Sequence, residues 1–225
     1  MQIFIIRHAD PDSDYVGISK AGHLQAATLA ESLRQRGVDE IYCSPMKRAL
    51  DTMQYSAKIL NIEPAIEEWM SELGWWIECE PWGKRSAWNL PGEVIRSEER
   101  PDPLTSQMKK DIGGLRNASD SFFERLGYKR CGGRYRVVGG NDKKIAVFTH
   151  GGFGLAWLSH LLELPIELIW CGFWLDPCSI TTVHFEERSR EWAVPRCLCV
   201  GDVSHLTVRG LSPETSSIYH KFKSI

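Results

Sequence analysis

The sequence predicts an α/β protein, a three-layer α/β/α sandwich with a mainly parallel central sheet and an insertion over the edge of that sheet. Two short stretches, residues 3–6 and 145–148, are apolar throughout, which is typical of parallel strands buried on both faces. Strands and helical patterns alternate along the first quarter of the chain, and this order favours right-handed crossovers between parallel strands. A length of 225 residues fits one domain, 1–225, better than two.

The first strand and helix are bounded by clear signals. Residues 3–6 form the strand, and residues 19–36 follow as a helix with apolar side chains at helical spacing. Ser19 is a capping residue at the start of this helix, and Gly37 can end it. The pattern therefore predicts a strand–helix unit at the start of the chain.

A second strand–helix unit follows directly. Residues 39–43 predict a short strand, and Ser44 and Pro45 then open a helix that runs to about Leu60. A capping serine followed by proline at the first helical position is a common way to begin a helix. Arg48 lies in the first turn of this predicted helix, just after the end of a strand.

The middle of the chain loses this rhythm. Residues 78–141 contain several prolines and three glycine pairs, show no clear strand, and look helical only over 119–126. Five of the nine tryptophans fall between Trp69 and Trp88, so this tryptophan-rich stretch overlaps the start of the region. Large aromatic side chains need somewhere to be buried, so residues of about 80–140 are interpreted as an insertion or lid and not as a linker.

Regular elements return in the last third. Residues 144–148 predict a strand, and a helix follows from about Gly152 to Leu162. Residues 179–186 and 191–200 predict a closing pair of strands joined by a polar turn.

Composition excludes several classes of function. A net charge of −2 and a pI near 6.4 give no general attraction to nucleic acid or to anionic membranes. No stretch approaches the roughly 20 apolar residues of a membrane span, and the start of the chain is charged too soon for a signal peptide. Seven scattered cysteines without a CxxC pair predict free thiols in a reducing compartment and no zinc site. We therefore expect a cytoplasmic protein.

Two histidines stand at matching places. His8 follows the apolar strand at 3–6, and His150 follows the apolar strand at 145–148, although 142 positions separate them. The carboxyl ends of parallel strands meet at one edge of a sheet, where ligands bind. One such histidine alone would favour a simple hydrogen bond to the backbone; two in equivalent places favour a shared site.

Arginines and glycines around the histidines indicate a phosphate site. Arg7 adjoins His8, and Arg48 begins the helix after the second strand. Guanidinium groups bind phosphate oxygens with paired hydrogen bonds and stay charged at any working pH. Gly151 and Gly152 let the backbone approach a ligand closely where a helix begins, and its free N–H groups attract anions.

Three short segments occur in this order along the chain: Arg7-His8-Ala9, the stretch 44–52 and Thr149-His150-Gly151-Gly152. Together they resemble the signatures of the histidine phosphatase superfamily, which includes cofactor-dependent phosphoglycerate mutase. The resemblance depends on their order, because each segment alone would be weak evidence. Two further stretches, the pattern of Ser19, Gly22 and Gln25 and the segment 201–206, are also similar to the family, whereas residues 80–140 are not.

The resemblance implies roles for individual residues. His8 would be the nucleophile that accepts the phosphoryl group, and His150 a second catalytic contact to it. Phosphate would be bound by Arg7, Arg48, Ser19 and Gly151. The family also expects a carboxylic acid after the second helix that protonates the leaving oxygen; Glu72 is our choice, and Glu68 and Glu67 remain rivals. No metal and no cofactor is expected.

The sequence departs from the family pattern just after the first signature. An acidic stretch with Asp10, Asp12 and Asp14 follows Ala9. Carboxylates near a phosphate pocket would repel a dianion, so we expect some of them to face outward or to bind a cationic part of the substrate.

These features predict a metal-independent phosphomonoester hydrolase that acts on a small phosphorylated metabolite. A phosphoglycerate mutase-type phosphotransferase is the first alternative, and a non-catalytic phosphate-binding or interaction module is the second. The expected partner is the small phosphorylated substrate, with no nucleic acid and no membrane, and a homodimer stays open. Within the insertion, Arg85 and Arg96 flank Trp88 and are the preferred candidates for substrate contacts.

Overall fold

The computed structural model describes residues 1–79, 83–97 and 104–211. An eight-stranded sheet and a separate two-stranded hairpin lie among seven α-helices in this part of the chain. The α/β class predicted from the sequence is confirmed. In chain order the elements are β1 (Gln2–Arg7), α1 (Lys20–Arg36), β2 (Glu40–Cys43), α2 (Lys47–Leu60), β3 (Ala65–Ile66), β4 (Trp76–Cys79), β5 (Gly83–Ser86), α3 (Gly92–Ile95), α4 (Ser106–Arg125), β6 (Tyr128–Cys131), β7 (Arg134–Val137), β8 (Lys144–Thr149), α5 (Gly151–Leu162), α6 (Ile166–Gly172), β9 (Ile180–Glu186), β10 (Trp192–Asp202) and α7 (Ser204–Thr207).

The sheet is mixed, and its order is β3-β2-β8-β1-β9-β10-β7-β6. The four strands from β3 to β1 run parallel, and the strands from β9 onward continue the sheet in antiparallel pairs. Strand β1 pairs with β8 so that Arg7 lies opposite Thr149. This register brings the residues that follow the two strands to the same edge of the sheet.

Alternating side chains of the central strands supply two separate cores, which is the arrangement of a three-layer sandwich. Ile3 and Ile5 pack into one core, and Phe4 and Ile6 pack into the other. The first core is rich in aromatic rings. Trp157 alone contacts four of them, in edge-on, tilted or stacked arrangements. The second core packs against α1 and α2, whose small residues allow close approach to the sheet.

The N-terminal elements agree with the sequence except at the start of α2. Ser19 caps α1, and Gly37 ends it with a positive φ of 72° that suits glycine. Helix α2 begins at Lys47 with Met46 as its cap, two residues later than predicted, and no side chain caps it. Ser44 is therefore not the helix cap, because it lies two residues before Met46, although its hydroxyl accepts the N–H of Met46 at 3.3 Å.

The prediction for the middle region was wrong in two respects. Helix α4 spans Ser106–Arg125, so it starts well before the predicted helix and runs through the Gly113–Gly114 pair. Its buried face, which includes Leu115, Phe122 and Phe123, stabilises the helix despite the glycines. Residues 128–131 and 134–137 form a hairpin, which extends the main sheet at its edge. Residues 80–82 and 98–103 of the predicted insertion lie outside the described residues.

The tryptophans of this region differ in burial. Trp75 is buried against Trp170, whereas 60% of the Trp76 side chain is exposed. Trp88 is partly buried and packs against the first core. The expectation that these side chains need burial thus holds for Trp75 but is wrong for Trp76. Within the described ranges, no helix is long and apolar enough to cross a membrane.

Candidate active site

The two histidines that follow β1 and β8 lie side by side. The centroids of the His8 and His150 rings are 5.3 Å apart, and both side chains are almost fully buried. Their proximity follows from the parallel register of the two strands, in which each histidine is the next residue after the paired ends. The structure thus brings together two residues that the sequence predicted to share one site.

The imidazole of His8 is oriented by the backbone of the next residue, Ala9. Nδ1 lies 2.7 Å from the carbonyl oxygen of Ala9, which can only accept a hydrogen bond, so the proton of the neutral ring belongs on Nδ1. Nε2 then carries a lone pair. This lone pair accepts the Nε–H of Arg48 at 3.2 Å. The ring therefore presents a nucleophilic nitrogen toward the arginine.

His150 is oriented by the residue that follows β2. Its Nε2 lies 2.8 Å from the hydroxyl of Ser44, which also accepts the N–H of Met46. We assign the hydroxyl as the donor to Nε2, which places the ring proton of a neutral His150 on Nδ1. Nδ1 is buried and has no hydrogen-bond partner in the described part of the chain. An unpaired buried donor beside the nucleophile is a natural contact for an anion.

Both histidines are neutral at pH 7. Burial, together with Arg7, His150 and Arg48, holds the pKa of His8 well below its usual value near 6.5. Burial, followed by the charges of Arg48 and Arg7, lowers the pKa of His150 to about 2. Two guanidinium groups beside two imidazoles favour the uncharged rings, and an uncharged ring is what a nucleophilic histidine requires.

Arg48 reaches the site from the first turn of α2. Its Nε–H donates to His8, and its Nη1 donates to the carbonyl oxygen of Tyr15 at 3.1 Å. Tyr15 adopts a left-handed backbone conformation with a φ of 58°, which is uncommon for a non-glycine residue. The loop after β1 therefore positions the guanidinium over the nucleophile.

Arg7 lies on the other side of the histidines. Its Nη1 donates to the carbonyl oxygen of Leu175, and its guanidinium lies 5.5 Å from the ring centroid of Trp174. Its Nε is buried and has no partner among the described residues. The start of α5 lies close to this guanidinium, since a Cβ on Gly151 would be 3.4 Å from it, an ordinary contact distance. The unpaired Nε–H is a second donor for an anion.

Of the three candidate glutamates, Glu72 lies at this site. Its Oε1 accepts the N–H groups of Leu73 at 3.0 Å and of Phe153 at 2.8 Å, and its Oε2 accepts that of Gly152 at 3.2 Å. It thus occupies two of the free N–H groups at the start of α5. Burial raises the pKa of Glu72, while the three N–H groups and the charge of Arg7 act in the opposite direction.

The two rival carboxylates lie elsewhere. Glu67 is bound by Arg125 and by the indole N–H of Trp69, and Glu68 is exposed at the start of a short 3₁₀ turn. The geometry therefore favours Glu72 among the three candidates, although its role as the acid stays a prediction.

The acidic stretch after His8 serves the local structure. The Asp10 carboxylate accepts the Ser19 hydroxyl at 2.8 Å, and that hydroxyl accepts the N–H of Gly22 as the cap of α1. The Asp12 carboxylate accepts the N–H groups of Val16 and Gly17, which closes the loop. The side chain of Asp14 is exposed, as expected for part of this stretch. These contacts explain a serine at position 19, and its predicted contact with phosphate stays a prediction.

The arginines of the insertion are less closely tied to the site. Arg85 lies on β5, and its Nε is buried without a partner in the described chain; Arg96 is exposed after α3. Within residues 1–79, 83–97 and 104–211, neither donates a hydrogen bond to His8, Glu72 or His150. The described ranges also contain no cluster of three or more His, Cys, Asp or Glu side chains that could hold a metal ion.

Several residues at the site were not predicted from the sequence. Ser44 belongs to the signature segment 44–52, but its contact with His150 was not predicted. Its position after β2 is a usable signal, because β2 runs parallel to β8 and ends at the same edge. Trp174 stacks near Arg7 and donates from its indole N–H to Asp176 at 2.9 Å. Trp88 lies over Gly152 at the start of α5. No local pattern marks Trp174, Asp176 or Trp88, since each comes from a connection between elements.

Comparison with known proteins identifies similar sequences. A family model described as the histidine phosphatase superfamily (branch 1) matches residues 3–196. Phosphoserine phosphatase 1 of Hydrogenobacter thermophilus is 23% identical over 197 residues, which cover 84% of this chain and 88% of that protein. A probable phosphatase of Schizosaccharomyces pombe is 35% identical over 174 residues, which cover 72% of this chain and 74% of that protein.

Solved structures show the same fold. A phosphoserine phosphatase of Entamoeba histolytica in complex with phosphoserine has a TM-score of 0.63 at 19% identity, with 91% of this chain and 98% of that chain covered. A mycobacterial glucosyl-3-phosphoglycerate phosphatase has a TM-score of 0.61 at 18% identity, with 89% and 98% covered.

Proposed function

The chain belongs to the histidine phosphatase superfamily as a phosphomonoester hydrolase, and we propose that it acts through a covalent phosphohistidine at His8. The observation that carries the proposal is the fixed tautomer of His8. With its Nδ1–H directed at the carbonyl of Ala9, the Nε2 lone pair is free for chemistry once Arg48 releases it. A phosphoryl group that approaches Nε2 would meet donors on either side.

Binding of the phosphoryl group is assigned to groups that lack partners or can exchange them. The buried Nε–H of Arg7 and the Nδ1–H of His150 each need an acceptor. The Nε–H of Arg48 moves from His8 to a phosphoryl oxygen, which both binds the substrate and uncovers the nucleophile. These donors balance the charge on the three oxygens during transfer, so the chain's own side chains supply the stabilisation.

The chemistry then proceeds in two displacements. In the first, Nε2 of His8 forms a bond to phosphorus as the ester P–O bond breaks, and Glu72 gives its proton to the leaving oxygen. Oε1 of Glu72 already accepts two N–H groups and Oε2 only one, so we place this proton on Oε2. In the second, the Glu72 carboxylate takes a proton from water as that water attacks phosphorus and His8 leaves.

The relatives suggest the substrate class. Curated and solved relatives are named for phosphoserine and for glucosyl-3-phosphoglycerate, both small phosphorylated metabolites. We propose a substrate of this size for this chain. The cytoplasm is the proposed location, because the six cysteines with described side chains are free thiols. The homodimer stays a prediction, which sedimentation equilibrium would test.

The test follows the phosphoryl group. With an aryl phosphate as substrate, hydrolysis should persist in EDTA and be inhibited by vanadate. Rapid quenching with labelled substrate should trap an acid-labile, base-stable phosphoenzyme in the native protein and none in His8→Ala. His23→Ala is the matched control, because His23 is exposed on α1, and this variant should retain the label.

Two results would contradict the proposal. Label that persists in His8→Ala would assign the nucleophile to another residue. Activity that disappears with chelator and returns with a divalent metal would exclude a site whose positive charge comes from arginine alone.

A further inference from the structure

The start of α5 is covered by a tryptophan from the segment that follows β5. A Cβ on Gly152 would lie 2.4 Å from Cε3 and 2.5 Å from Cζ3 of Trp88, so the six-membered part of the indole rests directly on this glycine. A real side chain at position 152 would have to displace the ring. Glycine is thus required here by a close approach and not by backbone conformation, because its φ is not positive.

Trp88 is held in this place by its neighbours in the chain. It lies in a 3₁₀ turn, Ala87–Asn89, whose first residue is fully buried and donates its backbone N–H to the carbonyl oxygen of Trp75 at 3.0 Å. Leu90, just after the turn, is also buried and packs with Ile95. The indole is therefore anchored on both sides.

The same glycine binds the Glu72 carboxylate. The N–H of Gly152 donates to Oε2, which is the oxygen on which the reacting proton is placed. A ring that rests on Gly152 covers the end of the helix where this oxygen is bound. Water that hydrates Oε2 would have to enter beside the ring.

We propose that Trp88 is a positioning residue, which keeps bulk water away from the Glu72 carboxyl group until the leaving group has departed and so maintains it as a proton donor. The inference rests on the proposed function, since it acts through the acid assigned to Glu72. Trp88 touches the residue that binds the acid and takes no part in the bonds that form or break.

Other groups that act on Glu72 stay in place when the ring is removed. Arg7 on β1 and Arg48 on α2 interact with its charge, and the N–H groups of Leu73, Gly152 and Phe153 bind it. All of them favour the carboxylate. Burial is the opposing and largest effect on the pKa of Glu72, and the ring that rests on Gly152 is placed to add to it. Its removal should therefore lower the pH above which the protonated acid is lost.

The experiment measures kcat/KM against pH for two substrates, an alkyl phosphate with a poor leaving group and an aryl phosphate. In Trp88→Leu the alkaline limb for the alkyl phosphate should move to lower pH by about one unit, so that activity above the limb falls about 10-fold. The profile for the aryl phosphate should keep its alkaline limb, because its leaving group hardly needs a proton. Trp88→Phe retains a six-membered ring over Gly152 and should restore the native profile.

Two further variants complete the test. Trp76→Leu is the matched control, because Trp76 begins strand β4, which pairs with β5, and 60% of its side chain is exposed. The pH profile of this variant should equal the native one. Gly152→Ala is an independent route should Trp88→Leu fail to fold, because its methyl group must push the ring aside. It should move the limb in the same direction.

The outcomes separate this inference from the proposed function. A loss of activity in Trp88→Leu that is equal at all pH values and for both substrates would overturn the role of Trp88, leaving a purely structural one. If the alkaline limb for the alkyl phosphate stays in place in Trp88→Leu or in Gly152→Ala, the proposed role of Trp88 is overturned as well. If Glu72→Gln slows the alkyl and the aryl phosphate equally, the assignment of the acid to Glu72 fails, and the inference about Trp88 fails with it.

Discussion

Acidification should destabilise this protein through its buried neutral histidines, and His150 allows the effect to be isolated. Its side chain is fully buried, and its pKa is lowered to about 2 by burial and by Arg48 and Arg7. In the unfolded chain the pKa returns to about 6.5. Between these values the unfolded state binds a proton that the folded state does not, so the free energy of unfolding falls as the pH falls.

The magnitude follows from the linkage relation. Below the unfolded pKa, each such histidine lowers the free energy of unfolding by about 1.4 kcal/mol per pH unit. At pH 5 the folded His150 is still neutral, so its contribution to the loss is about 2 kcal/mol. His8 and His205 act in the same direction, because burial lowers both of their pKa values, that of His205 to about 4.

The assay compares urea unfolding at pH 7.5 and pH 5, followed by tryptophan fluorescence. His150→Ala should lose about 2 kcal/mol less than the native protein between these two pH values. Ile145→Val is the control, because Ile145 lies on the same strand and is fully buried, and the change costs about 1 kcal/mol without altering a titrating group. Between pH 7.5 and pH 5, Ile145→Val should lose as much free energy of unfolding as the native protein. If His150→Ala shows the native loss as well, the folded protein protonates or hydrates His150, and the argument for a neutral ring fails.

Three further predictions concern the acid, a helix cap and the aromatic core. Glu72→Gln should slow an alkyl phosphate far more than an aryl phosphate in steady-state assays, whereas Glu67→Gln should hydrolyse both at native rates, because Glu67 is bound to Arg125 away from the histidines. Ser19→Ala should lower the free energy of unfolding by about 1 kcal/mol, because α1 loses its cap, and the inhibition constant of phosphate in the same variant tests the predicted phosphate contact. Phe123→Ala should lower the free energy of unfolding by about 3–5 kcal/mol. The ring of Phe123 is fully buried and contacts four other aromatic rings, those of Phe122, Tyr135, Trp157 and Phe185.

Each of these predictions has an opposite result. Leaving-group dependence in Glu67→Gln but not in Glu72→Gln would move the acid to Glu67. An unchanged inhibition constant for phosphate in Ser19→Ala would contradict the predicted contact of the hydroxyl with phosphate, and an unchanged free energy of unfolding would contradict its role as the cap of α1. A loss below 1 kcal/mol in Phe123→Ala would mean that the aromatic core repacks around the missing ring.

Periodic patterns predicted the outer framework well. The strands that became β1, β2, β8, β9 and β10 and the helices α1 and α5 lie within two residues of their predicted ends. Buried parallel strands leave continuous apolar runs, and helices leave caps and an apolar stripe. Such signals are local, so they can be read from the sequence without knowledge of the partners.

The middle of the chain could not be predicted in the same way. Helix α4 contains paired glycines that weaken its local signal, and it forms because Phe122 and Phe123 are buried against other elements. Strand β6 carries adjacent charges at Lys129 and Arg130, which obscure the alternation of a strand, and its hairpin with β7 pairs at the edge of the sheet through β10. Both depend on contacts that are distant in sequence.

By itself, the sequence determined the α/β class, the meeting of His8 and His150 and the presence of Arg7 and Arg48 beside them. It could do so because the carboxyl ends of parallel strands meet at one edge whatever the rest of the chain does. Only the tertiary structure decided which glutamate lies at the site, which nitrogen of each histidine is free, and that Trp88 covers Gly152. These depend on hydrogen bonds and burial between segments up to about a hundred residues apart, as between Ser44 and His150, which no local pattern of residues records.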